Sequence, residues 1–117
     1  MANQIQIIGT LKCRNTQKVI RYFKDRGLTP HFLDLNQKAL SKGELNNITR
    51  SIPIEDLIDK DSKEYKKKNL QYMVYDSSEL ILENPLIIKT PITRFGSKSI
   101  QGFDTAKLES IVNELKQ

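Results

Sequence analysis

The stretch Gln4-Ile5-Gln6-Ile7-Ile8-Gly9-Thr10-Leu11-Lys12-Cys13-Arg14-Asn15-Thr16-Gln17-Lys18-Val19-Ile20-Arg21-Tyr22-Phe23 changes its hydrophobic period once. Gln4 to Gly9 is apolar and β-branched, which suits a central strand. From Thr16 the apolar or small residues fall at Thr16, Val19, Ile20 and Phe23, the spacing of one helix face. Gly27 follows as a helix stop, and Pro30 opens a second short strand, His31-Phe32-Leu33-Asp34-Leu35. A strand, a helix of about three turns and a strand form a β-α-β unit with parallel strands and a right-handed crossover.

Beyond Asn36 the pattern changes. Ser41-Lys42-Gly43-Glu44 has capping-box spacing, with Leu45, Ile48 and Ile52 on an apolar side. Pro53 fits the first turn of a short helix over Ile54 to Ile58. Asp61 or Ser62 starts another that carries Tyr65 and Leu70. Asp76-Ser77-Ser78-Glu79 resembles a further cap, with a stop at Asn84-Pro85. Residues 36–84 are therefore expected to be several short helices inserted between strands. Strand character returns at Leu86-Ile87-Ile88 and Ile92-Thr93-Arg94-Phe95, on either side of Thr90-Pro91. Gly96-Ser97 turns the chain toward Ser99-Ile100-Gln101 as a hairpin. Asp104 caps a last helix with Leu108, Ile111, Val112 and Leu115 at helical spacing. The expected fold class is α/β, ordered β-α-β, helical insertion, β-β-α, in one domain over 1–117.

The 117 residues, 38% hydrophobic and 28% charged, suit one modest core. No apolar run approaches the ~18 residues that span a bilayer, and the N-terminus lacks a secretion-signal pattern. One cysteine excludes an internal disulfide framework, and one histidine excludes the common cysteine/histidine zinc sites. A cytoplasmic monomer with no metal and no membrane partner is expected. The net charge of +5 invites a nucleic-acid reading, yet acidic residues are interleaved with the basic ones throughout. Only Lys66-Lys67-Lys68 forms a run, and on a helix it points in three directions. No base-stacking platform accompanies it, so no nucleic-acid partner is expected.

Cys13 lies between the first strand and the first helix, where unpaired amides and the helix dipole favour a thiolate. Lys12, Arg14 and Lys18 add positive charge, and no acidic residue precedes Asp25. This polar, basic setting favours a reactive thiol over a small buried hydrophobe. Thr90-Pro91 marks a sheet edge or a special turn, and spacing leaves the isomer of its peptide bond open. His31, beside Phe32, is read as structural or surface. Tyr65, Tyr72 and Tyr75 are read as packing residues. The acidic residues show no metal-loop spacing, and no glycine-rich phosphate loop is present.

The segment Ile8-Gly9-Thr10-Leu11-Lys12-Cys13-Arg14-Asn15-Thr16-Gln17-Lys18, followed by a helix, Gly27 and a second strand, resembles the arsenate reductase-like (ArsC/Spx/YffB) family. Glu83-Asn84-Pro85-Leu86-Ile87-Ile88-Lys89-Thr90-Pro91-Ile92 resembles that family's segment around its cis-proline, and Gly102 falls where the family often has a glycine before the last helix. The resemblance implies a thioredoxin-like fold, with Cys13 as the redox cysteine and Pro91 as the cis-proline facing it.

Arsenate reductases place an arginine immediately before that proline, where this chain has Thr90. A second arginine belongs to the insertion, which here reads Asp59-Lys60-Asp61, and a third belongs near Ile100-Gln101-Gly102. Losing all three removes the bidentate hold on an oxyanion, which disfavours arsenate. Lys60, Lys89 and Arg94 are not in matching positions. Spx-type regulators often carry a second cysteine three residues after the first, where this chain has Thr16, so a Cys-x-x-Cys switch is impossible. The single-cysteine YffB-like branch, suggested to be glutathione-dependent thiol reductases, is the nearest in pattern.

The resemblance thus implies a monothiol thiol-disulfide oxidoreductase with no bound cofactor and with glutathione or another small thiol as co-substrate. Cys13 is the nucleophile. Lys12, Arg14, Thr16, Thr90 and Pro91 are the expected substrate- and thiol-binding residues. The alternative is a non-enzymatic module binding RNA polymerase, supported by the basic charge and the helical insertion.

Overall fold

The computed structural model describes residues 5–116; Gln4, the expected first residue of the opening strand, lies outside them, as do the outermost residues of the expected 1–117 domain. Strand β1 covers Ile5–Gly9, helix α1 Arg14–Lys24 and strand β2 His31–Asp34. β1 and β2 pair in parallel, with Ile7 opposite Phe32 and Gly9 opposite Asp34, as the change of period requires. Helix α1 buries Thr16, Val19, Tyr22 and Phe23. Gly27, just past the end of α1, holds φ +76°, a left-handed conformation that a residue with a Cβ adopts only at a steric cost.

Between β2 and the next strand the chain forms helices α2 (Lys42–Ile48), α3 (Ile54–Leu57), α4 (Lys63–Lys67) and α5 (Ser77–Glu83). All are too short to persist alone, so caps and burial hold them. Ser41 N–H donates to Glu44 Oε1 at 2.9 Å while Glu44 N–H donates to Ser41 Oγ at 3.1 Å, completing the capping box. Ser62 Oγ accepts from Tyr65 N–H and Asp76 Oδ1 from Glu79 N–H. Each such cap contributes about 1 kcal/mol. Leu45, Ile48, Leu57, Tyr65, Leu80 and Ile81 are buried beneath them.

The expected strand at Leu86–Ile88 does not form. Pro85–Ile87 is a 3-10 turn, and Ile88 makes one isolated antiparallel bridge to Ile58. Pro85 has a backbone angle preset for a helical turn and no amide to give a ladder. Ile87 N–H donates to Asn84 C=O and Ile88 N–H to Pro85 C=O, so local partners take both amides. The run is apolar because Ile87 and Ile88 are buried, a demand that a turn meets as well as a strand does.

Strands β3 (Ile92–Phe95) and β4 (Lys98–Gln101) form the hairpin, one residue longer at β4 than its sequence suggested, and helix α6 (Thr105–Lys116) closes the described chain. Asp104 Oδ1 accepts from the amides of Ala106 and Lys107. The sheet order is β2-β1-β3-β4, with β3 antiparallel to both neighbours. Alternation along β1 sends Ile5 and Ile7 to one face, against Val19 and Phe23 of α1 and Leu108 and Ile111 of α6. Ile8 faces the other way with Leu33 and Ile92, against Leu45, Ile48, Leu57 and Ile81 of the insertion. The result is an α/β sandwich with the sheet in the middle. Its β1 and β2 carboxyl ends meet the amino end of β3, where the segments carrying Cys13 and Thr90 emerge.

Candidate active site around Cys13

Cys13 is the residue before α1, extended at φ −78° and ψ 117°. Its N–H donates to Thr10 C=O at 3.1 Å and its C=O accepts from Gln17 N–H at 3.2 Å. The Gln17 side chain donates to Leu11 C=O and braces the loop ahead of the cysteine. No acidic residue occupies the first turn of α1, so nothing local opposes the helix's positive end.

The Cys13 thiol, half-buried, donates to Thr90 C=O across 3.7 Å. Thr90 and Cys13 are 77 positions apart, and the sheet brings them together. The Thr90–Pro91 bond is cis. Pro91 is buried, and its C=O accepts from Gly102 N–H at 2.9 Å, tying this turn to the end of β4. Gly102 holds φ +82°, which explains a glycine there.

Partial burial by itself pushes the Cys13 thiol pKa up. The hydroxyls of Thr16 and Thr90, with the backbone amides of Thr16 and Asn15, outweigh it and hold the thiol below its ordinary value. Thr16 is fully buried, and its Oγ1 has no hydrogen-bond partner among the described residues in the resting arrangement. A thiolate at Sγ gives that hydroxyl an acceptor. Gly9 lies directly against Thr16: a Cβ there would be 2.8 Å from Thr16 Cγ2. Sequence reading passed over this contact, while the Asn15 and Thr16 amides are among the unpaired helix-start amides it expected. The only signal for the Gly9–Thr16 contact was a glycine ending a buried strand just before the cysteine loop.

The remaining expected residues are placed less centrally. Lys12 and Arg14 are exposed, and their side chains make no hydrogen bond or ion pair among the described residues. Lys18 stands 5.9 Å from the Phe103 ring centroid, within cation–π range. His31 is exposed and pairs in register with Gln6, three residues, or ~10 Å, down the sheet from Gly9. It forms no pair with Cys13. Arg94 is committed elsewhere, donating to Gln6 Oε1 at 2.6 Å and Asn47 Oδ1 at 3.2 Å and lying 3.6 Å from Glu44. Burial pushes Glu44 up, but Ser41, Gln6 and Arg94 together hold its carboxyl below the usual range. Gln101 Nε2 donates to the carbonyls of Asp56 and Lys89, at 2.9 and 3.2 Å, fastening the insertion to β4. Among the described residues no group of three or more His, Cys, Asp or Glu side chains could hold a metal, and no helix is long and apolar enough to cross a membrane.

The sequence model of the ArsC family matches residues 9–111, from the end of β1 into α6. This chain belongs to the ArsC family. Solved structures agree with that assignment in fold. A protein described as YffB superposes with a TM-score of 0.81 at 17% identity, over 92% of this chain and 98% of its own. An arsenate reductase from Vibrio cholerae gives 0.79 at 17% identity, over 95% and 99%. An ArsC-family-related protein from Bacteroides fragilis gives 0.82 at 16% identity, over 95% and 99%. Comparison with curated proteins gives no sequence match. The ArsC-family chain thus has the thioredoxin-like α/β fold, with its single cysteine at the start of the first helix.

Proposed function

We propose that this ArsC-family protein is a monothiol thiol-disulfide oxidoreductase. The observation carrying the proposal is the setting of Cys13: a half-buried thiol before α1, held below its ordinary pKa by two threonine hydroxyls and two amides. The Cys13 thiolate attacks one sulfur of a mixed disulfide, forming a Cys13 disulfide and expelling the other partner as thiolate. The chain has no second cysteine to resolve that bond. A small thiol, glutathione by preference, attacks it, leaves as its own disulfide and returns Cys13 to thiolate. Thr16 and Thr90 stabilise the anion, Thr90, held in place by the cis bond to Pro91, presents backbone to the substrate, and Lys12 and Arg14 supply positive charge for carboxylates.

Arsenate is disfavoured as substrate. Thr90 stands where a guanidinium would be needed, and Arg94, a candidate replacement, is consumed by Gln6, Asn47 and Glu44. The test is turnover of the mixed disulfide of glutathione and 2-mercaptoethanol with glutathione as reductant, for the natural chain and Cys13→Ser. Turnover lost in the serine variant supports the proposal. Turnover retained there, or absent in both, overturns it.

A further inference from the structure

The chain has 19 basic and 14 acidic residues, and its first 24 positions hold the whole excess: Lys12, Arg14, Lys18, Arg21 and Lys24, with no acidic residue among them. Helix α1 sorts these charges by its geometry. Thr16, Val19, Tyr22 and Phe23 fill the buried side. Arg14, Lys18 and Arg21, four and three residues apart, fall in one stripe on the opposite, exposed side. Among the described residues none of these three makes an ion pair. Arg26 differs: its guanidinium lies 3.6 Å from the Tyr22 ring centroid and donates to Tyr22 C=O, so it is already engaged. Asp25, the first acidic residue, stands past the far end of the stripe.

The stripe begins at the residue after Cys13 and runs ~10 Å along the helix. Lys18 Nζ lies 5.9 Å from the Phe103 ring, which packs edge-on against Tyr22 at 6.4 Å. Phe103 follows Gly102, whose N–H donates to Pro91 C=O, so one segment joins the cis-proline turn to the stripe. Asp34 and Asp104, acidic residues at this end of the sheet, are turned onto backbone: Asp34 Oδ1 accepts from Asn36 N–H, and Asp104 Oδ1 from the amides of Ala106 and Lys107. A row of unpaired cations attracts carboxylates and rejects other cations. Because this row starts beside the nucleophile, what lies on it is the flank of the disulfide presented to Sγ. Lys18 and Arg21 stand one and two turns beyond Arg14, where they face the larger half of a mixed disulfide.

We propose that the stripe of Arg14, Lys18 and Arg21 selects protein substrates whose glutathionylated cysteine is flanked by acidic residues, with Lys18 and Arg21 determining the specificity. This rests on the thiol-exchange reading above. Carboxylates of the flanking segment pair with Lys18 and Arg21. Cys13 thiolate attacks the glutathione sulfur, the substrate cysteine leaves as thiolate, and a second glutathione regenerates Cys13 as glutathione disulfide departs. Peptide disulfide and one glutathione become peptide thiol and glutathione disulfide, so atoms and electrons balance.

The probes are short peptides of one length, each with a single glutathionylated cysteine flanked by aspartates, serines or lysines, beside the small disulfide used above. At low salt kcat/KM is expected to fall from the acidic to the neutral to the basic peptide, by about tenfold or more overall. At about 0.5 M salt the spread should collapse. Lys18→Gln with Arg21→Gln should cut the acidic-to-basic ratio about fivefold or more. Lys66→Gln with Lys67→Gln, which removes as much charge from exposed positions of the insertion, should leave it. A ratio taken within one variant cancels any change in the thiol itself. Equal rates for all peptides, or a ratio that falls as far in the Lys66 and Lys67 variant, overturn the stripe and leave thiol exchange intact. Turnover of no substrate discards the chemistry. Docking is then read from backbone amide resonances of Cys13→Ser titrated with the acidic peptide: shifts at Lys18 and Arg21 keep the stripe, and no shift there discards it.

Discussion

Gly9 and Thr16 are packed so tightly that a Cβ on the glycine would sit 2.8 Å from Thr16 Cγ2 and closer still to Oγ1. The end of β1 and the first turn of α1 therefore meet through a missing side chain. That close approach sets the height of the buried hydroxyl beneath Cys13.

Gly9→Ala is expected to destabilise the protein by about 1–3 kcal/mol, the range for overpacking a close contact. Urea unfolding measures it. The loss should be smaller in a Thr16→Ala background, because the two changes share one contact. Equal losses in both backgrounds would mean the strain is relieved elsewhere.

Thr16→Val should move stability and thiol acidity in separate directions. At a pH where Cys13 is protonated it removes a buried hydroxyl that lacks a partner, so stability there is expected to hold or rise. It also removes a donor to the thiolate, so the alkylation inflection of Cys13 should move to higher pH. Thr93→Val, which deletes another buried unpartnered hydroxyl on β3, is the control: stability holds or rises and the inflection stays.

A depressed Cys13 pKa has a definite consequence for stability against pH. The folded chain releases the thiol proton at lower pH than the unfolded chain does, so the added stability is fully present above the unfolded pKa. It disappears as pH falls through the folded pKa. The stability difference between the natural chain and Cys13→Ser should therefore grow in favour of the natural chain from acidic pH upward, levelling near the ~8.5 of a free thiol. A difference that is flat with pH would show that folding does not perturb the thiol.

Arg94→Ala is expected to destabilise by about 1–3 kcal/mol, since it strips partners from Gln6, Asn47 and the half-buried Glu44. The Cys13 alkylation inflection should not move. An inflection that shifts with little loss of stability would instead place Arg94 in the electrostatics of the thiol.

The β-α-β unit, the capped helices of the insertion and the last helix were legible in the sequence because each rests on short-range chemistry. Period, cap oxygen and stop glycine are all local signals. Cys13 ahead of a helix is of the same kind, since helix ends carry their own unpaired amides. Leu86–Ile88 misled for the complementary reason. Burial selects apolar β-branched residues without dictating the backbone, and Pro85 with Asn84 supplied a turn.

The spacing of residues left open what lies 77 positions away from the thiol; the resemblance implied Pro91, and the tertiary structure supplies the contact itself, with Thr90 C=O. Antiparallel pairing of β1 with β3 carries Thr90 to Cys13, and the same register sets Arg94 beside Gln6, down the sheet. A side chain's charge is fixed by its identity, but its availability depends on which partners the register puts in reach. The sequence therefore determined that a cysteine begins a helix on an α/β scaffold. Only the packed fold determined how the Thr16 and Thr90 hydroxyls sit about it and which arginine is already spent.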